Sequence, residues 1–331
     1  MHKWLPALGY VATLSAGVLI GLYVCSGTLS PHISKNKIDY SEEGGKYTYI
    51  NPLLFCSDQE ISNYNNSLTL TMEKRLRSYL EKAEKQGLAA EASVYYRDLN
   101  DGPWVLINGT MHTVPASLLK VPTALAIYKH AEQDPAFLAK RLALEEATDP
   151  NSEQYFTPKN AVKSGEPYTV KQLVELMLKD SDNGALYLLG TTLPVQNFTD
   201  SYSDLGIPVP TEMAPGYTVS ARTFASFFRV LFNSSYLEHD TSEYLLSVLA
   251  DSSFSQGLRA GLPPTIQVAD KFGEFRVTET DLRLNDCGIV YRPSDPYILC
   301  VLTRGENYDN LASVISTISK TVFETLEEQA R

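Results

Sequence analysis

The chain has 331 residues, of which 44% are hydrophobic, enough for a full core in one or two domains. Its formal net charge of −11 comes without any sustained basic block, which argues against nucleic acid as a partner. No Cys-x-x-Cys or Cys/His cluster points to a metal, and no Gly-rich phosphate loop points to a nucleotide cofactor.

After Lys3, the stretch "WLPALGYVATLSAGVLIGLYVC" (4–25) carries no charge over 22 residues. That length crosses a hydrocarbon core of about 30 Å as a helix. The run is long for a cleaved signal peptide and no Ala-x-Ala site follows it, while Val24 weakens a lipoprotein reading of Cys25. The expectation is a signal-anchor over residues 1–27, with everything beyond it outside the cytoplasm, in a cell membrane. A secreted form is the alternative if the segment is cleaved. Residues 28–68 are polar and read as an extracytoplasmic stalk, ending in the apolar knot "YINPLLFC".

From Leu70 the spacing becomes helical, with Leu70, Met72, Leu76, Tyr79, Leu80 and Ala83 on one side and Gly87 as a stop. "EASVYYRDLNDGPWVLING" reads as two strands around an Asn-Asp-Gly-Pro turn. The middle of the chain is dominated by helical patterns: "TALAIYKHAEQ", "TVKQLVELMLKD", "NGALYLLGTTL", "SARTFASFFRVLF" and "SEYLLSVLAD". Strands return in "TIQVADKFGEFRV", "DLRLNDCGIVYR" and "YILCVLTRG", the last two as a hairpin, before a closing amphipathic helix. Cys287 and Cys300 flank the hairpin turn and are read either as a disulfide or as buried thiols.

Strands that flank a helical middle predict an α+β fold, one antiparallel sheet covered by terminal helices with an all-helical lobe inserted between its strands. The sheet lobe is expected over about 69–116 and 256–331, the helical lobe over about 117–255. A cleft between them is the natural site.

Three polar signals fall at the lobe junctions. Ser117 and Lys120 in "PASLLKVP" share a helix face, Ser181-Asp182-Asn183 ends an apolar helix, and Lys271-Phe272-Gly273-Glu274 lies in the first returning strand. Singly each has an ordinary reading: a helix N-cap, a turn, a solvated strand lysine beside a bulge. Ser34-Lys-Asn-Lys37 repeats the first spacing in a segment with no helical pattern and none of the other signals.

The ordered trio resembles the class A β-lactamase-like family of serine penicillin-recognising hydrolases over roughly residues 68–328. The resemblance implies a five-stranded antiparallel sheet with a helical lobe. It also implies acylation of Ser117 by an amide (a β-lactam or a cell-wall peptide), with Lys120 as general base if burial keeps its amine neutral. Ser181 would relay a proton to the leaving nitrogen and Asn183 would hold the substrate amide. The amides of Ser117 and Glu274 would form the oxyanion hole beside Gly273, and Lys271 would attract a substrate carboxylate. Asp182 is expected to brace its turn.

Two departures qualify the resemblance. There is no Glu-x-x-Leu-Asn loop after Ser181, and Glu212 is the one acid in the short loop between "DLGIPVP" and "SARTFASFF"; Glu166 precedes Ser181 and is expected to open a helix. Phe272 stands where the family usually has Thr or Ser, with Arg276 or Arg283 as compensating cations. The alternatives are therefore a D,D-peptidase or transpeptidase, and a catalytically silent domain that binds wall peptides. A Ser-His-Asp triad would have only His112 near Ser117 in sequence.

Overall fold

This computed structural model describes residues 47–51, 67–100, 102–145, 149–209, 216–293 and 295–329. The expected anchor, Cys25, Cys56, most of the expected stalk and Glu212 lie outside them. Among the described residues no helix is long and apolar enough to cross a membrane.

The amphipathic first helix, α1 (Ser67–Lys85), leads into strands β1 (Glu91–Asp98) and β2 (Trp104–Ile107). A 3-10 turn at Ala116–Leu119 runs straight into α2 (Lys120–Ala131). The inserted region holds α3 (Val170–Lys179), α4 (Asn183–Gly190), α5 (Val195–Asp204), α6 (Ala221–Phe232) and α7 (His239–Ala250). It also contains a small ribbon of β3 (Arg141–Ala143) and β4 (Pro167–Thr169) that hydrophobic periodicity did not signal. The chain then returns through β5 (Gln267–Thr278), β6 (Asp281–Tyr291) and β7 (Tyr297–Gly305) and closes with α8 (Tyr308–Gln329).

The five long strands form one antiparallel sheet in the order β2-β1-β7-β6-β5. Alternation along each strand divides the core in two. Tyr95, Ala269, Ile289, Ile298 and Leu302 face the helical lobe, while Val94, Tyr96, Val268, Val290, Leu299 and Val301 face α1 and α8. On the second face, α8 presents Leu311, Ile315, Ile318 and Val322 at helical spacing. Cys287 and Cys300 are directly opposed on β6 and β7 and are joined as a disulfide on the helical-lobe face.

The order leaves β5 at a sheet edge. Its first half is nevertheless buried because the 3-10 turn at Ala116–Leu119 lies along it. That contact brings the strand carrying Lys271 against the turn carrying Ser117.

Candidate active site

Ser117 sits within the 3-10 turn rather than at a helix cap; the caps are Pro115 and Leu119, and no side chain caps either helix start. The N-cap reading of Ser117 is thus replaced by a turn position. The residue before it, Ala116, has φ 50°, a left-handed backbone that costs an alanine on the order of 1 kcal/mol. The turn is held by Asn285, whose Nδ2 donates to the Val114 carbonyl at 3.0 Å. Gly273 allows β5 to approach it: a Cβ there would lie 2.6 Å from the Pro115 carbonyl oxygen and 3.0 Å from the Ser117 nitrogen. Ser117 is half-buried, and among the described residues its Oγ has no hydrogen-bond partner.

Lys120, one turn on, is fully buried at 0% exposure. Its Nζ donates to the Ser181 carbonyl at 2.5 Å, to Asn183 Oδ1 at 2.8 Å and to Ser181 Oγ at 3.2 Å. The amine therefore ties the Ser117 turn to the Ser-Asp-Asn segment, a contact across more than 60 residues. Burial drives its pKa well below the usual lysine value, and the Lys271 charge lowers it further against the opposing pull of Asp182 and Glu274.

The Ser-Asp-Asn segment is fixed from both sides. A capping box of Thr169 and Gln172 starts α3, so Glu166 and Pro167 precede that helix by a short strand and do not open it. Ser181 then adopts φ 59°, and Asp182 caps α4. The Asp182 carboxylate accepts from the amides of Gly184 and Ala185, from Asn151 Nδ2 at 2.7 Å and from the Val162 amide at 2.9 Å. It braces the turn, as expected. Asn183 donates through Nδ2 to the Pro150 carbonyl, and its amide donates to Asn151 Oδ1. Asn151 and Gln154, which also donates to the Ser181 carbonyl, belong to a loop with no motif or periodicity to announce them.

Lys271 is 1% exposed and burial lowers its pKa to about 7, opposed by Asp270, Asp286, Glu274 and Asp180. Its Nζ donates to the Phe272 carbonyl at 3.0 Å; no hydrogen bond joins it to Ser181 among the described residues. Beneath it Arg259 Nε donates to Asp270 Oδ1 at 2.7 Å. The Glu274 carboxylate accepts from the Phe156 amide at 3.2 Å, and burial raises its pKa. Arg276 pairs with Glu279 and Arg283 with Asp281, so both expected compensating cations are spent on their own hairpin turn. His112 is exposed, with Nδ1 2.9 Å from the Thr110 carbonyl oxygen and no bond to Ser117.

A buried amine thus joins two of the polar segments, beside a serine turn whose strand neighbour must be glycine. The sequence profile of the beta-lactamase enzyme family matches residues 72–326. The chain belongs to that family. Membership makes it a serine hydrolase of the acyl-enzyme type. Among solved structures, a beta-lactamase from Burkholderia phymatum is 22% identical, with a TM-score of 0.64 over 79% of this chain and 100% of its own. A mutant of PBP-A, solved as an acyl-enzyme complex with penicillin-G, is 19% identical, with a TM-score of 0.63 over 78% of this chain and 97% of its own. A beta-lactamase from Xanthomonas campestris is 18% identical, with a TM-score of 0.64 over 77% and 98%. At these identities the likeness is one of fold, the α+β sheet with a helical lobe that the strand order predicted. No curated protein matches the chain in sequence.

Proposed function

We propose that this chain is a membrane-anchored, extracytoplasmic hydrolase whose Ser117 is acylated by an amide, with Lys120 as the general base. The observation that carries this reading is the buried Lys120 amine, held on Ser181 and Asn183 one turn beyond an unpartnered serine hydroxyl. Ser117 Oγ attacks the carbonyl carbon while its proton passes to the neutral Lys120 amine. The developing oxyanion would lie against the amides of Ser117 and Glu274, a reading supported by the close approach of the Ser117 turn to β5 at Gly273. When the C–N bond breaks, the proton returns through Ser181 Oγ to the leaving nitrogen. Water then cleaves the acyl ester and restores the serine.

The absence of a Glu-x-x-Leu-Asn segment supports slow deacylation, hence peptidase- or transpeptidase-like chemistry over rapid β-lactam turnover. An exported location is supported by the 22-residue uncharged run and by the Cys287–Cys300 disulfide, which suits an oxidising compartment.

Labelling tests the proposal. Whole cells are treated with a fluorophosphonate probe and with a β-lactam, and adducts are read by intact mass and peptide mapping. The expected adduct is on Ser117, is abolished by Ser117→Ala, and sediments with the membranes. An intact wild-type mass with both reagents would contradict acylation; a labelled soluble form lacking residues 1–26 would contradict the anchor.

A further inference from the structure

The Lys271 amine is buried beside the acylation site, and an aromatic ring covers it. Its Nζ lies 4.2 Å from the centroid of the Phe272 ring. Phe272 stacks on Phe254 with centroids 4.0 Å apart and planes at 18°. Phe156 meets both rings edge-on, at 5.1 Å from Phe254 and 5.9 Å from Phe272. Phe272 is only 4% exposed, so it forms a wall and not a mobile tip.

The wall is tied down from the helical-lobe side. The loop carrying Phe156 crosses to β5 and α8, where the Phe156 amide donates to the Glu274 carboxylate and Tyr155 Oη donates to Asp309 Oδ2 at 2.7 Å. A carboxylate ligand would need the same ammonium face that the Phe272 ring occupies. The Phe272 ring keeps one face on the Lys271 amine and is stacked on Phe254, so it caps the amine by bulk and by cation–π attraction. The field around Lys271 is also already answered from within, by Asp270, Asp286, Glu274 and Asp180. Arg276 and Arg283, which would otherwise restore a positive pole, are held by acids of their own turn. This arrangement is a poor receptor for an anion.

We propose that Phe272 determines substrate class: the ring layer over Lys271 rejects substrates with a free carboxylate beside the scissile bond and favours uncharged amides or esters. This rests on acylation of Ser117. A packing role alone, between the sheet and α8, would leave the enzyme indifferent to one carboxylate on an otherwise identical substrate.

The test compares benzylpenicillin with its methyl ester, which share the strained ring and differ in that one charge. Acylation rates are read by intact mass and normalised to each compound's hydrolysis by hydroxide. The expected wild-type preference is for the ester by about tenfold or more. Phe272→Thr is expected to raise the rate with the acid by at least about tenfold, and adding Lys271→Ala to remove that gain. The wild-type ratio needs no variant, so a poorly folding Phe272→Thr protein does not spare the proposal. Equal or faster reaction of the acid with the wild type, in a protein whose Ser117 takes a neutral fluorophosphonate, overturns this inference alone. Failure of the fluorophosphonate to label Ser117 overturns the acylation reading and this one with it.

Discussion

Two lysine amines share one buried site, and one makes the other harder to charge. Lys271 lowers the pKa of Lys120 through its charge, while burial holds Lys271 itself near 7. Between about 7 and the ordinary lysine value of 10.5, the unfolded chain binds a proton at residue 271 that the folded chain does not. Stability attributable to this residue therefore rises with pH across that window, by on the order of a few kcal/mol. Lys271→Met is expected to lose this dependence, seen as urea midpoints that no longer rise relative to wild type between pH 7 and 9.5. The same variant frees Lys120 of a neighbouring positive charge, so its pKa rises. The acid limb of the acylation rate should then move to higher pH; a limb that stays in place or moves to lower pH would break the link between the two amines. Ser117, Lys120, Ser181, Asn183 and Lys271 were all legible as motif residues. Where the Lys120 amine would point was not, since its acceptors are 61 and 63 residues away and arrive only with the fold.

At the scale of elements, the site depends on a strand edge pressed against a 3-10 turn. Gly273 makes that possible, because a side chain there would meet backbone atoms that no rotamer change can move aside: the Pro115 carbonyl at 2.6 Å and the Leu118 nitrogen at 2.9 Å. Gly273→Ala must push the turn off β5. Overpacking of this kind costs about 1–3 kcal/mol, which a domain of this size tolerates. Acylation, which needs the Ser117 amide and hydroxyl in register with β5, is expected to fall by about a hundredfold or more. Retained acylation with an unshifted unfolding midpoint would mean that the turn does not need this contact. The helices and long strands were readable from their own residues, as in the capped, amphipathic α3 or the unbroken apolar run of β7. The loop from residue 149 to 162 was not. Asn151, Gln154 and Phe156 are fixed by long-range bonds to Asp182, Ser181 and Glu274, and leave no local pattern. The left-handed Ala116 and Ser181 are likewise set by their tertiary surroundings, against their own preference.

The described residues form a sheet between two apolar layers, and residues 47–51 are stitched to the layer on the helical-lobe side. Residues 47–51, read as stalk entering the apolar knot "YINPLLFC", are docked on the helical lobe. The Glu243 carboxylate on α7 accepts from three consecutive amides, Thr48 at 2.7 Å, Tyr49 at 2.7 Å and Ile50 at 2.9 Å. The Asn51 amide donates to the Phe232 carbonyl, Tyr291 Oη donates to the Tyr49 carbonyl, and Ile50 is buried. Composition marked an apolar knot here but not its seat, because a run that borrows its hydrogen bonds from a distant carboxylate has no period of its own. Glu243→Ala removes one acceptor and leaves three amides to find water. Hydrogen bonds to a charged acceptor are worth roughly 1.5–3 kcal/mol, and those here are partly exposed, so the expected loss is about 1–3 kcal/mol. The local effect should exceed the global one: protease cleavage N-terminal to α1 should accelerate well before the unfolding midpoint falls, while Ser117 labelling in detergent persists. A cleavage rate unchanged by Glu243→Ala would show that the segment is held by the burial of Ile50 and the aromatic contact of Tyr49 with Tyr291, and not by this carboxylate.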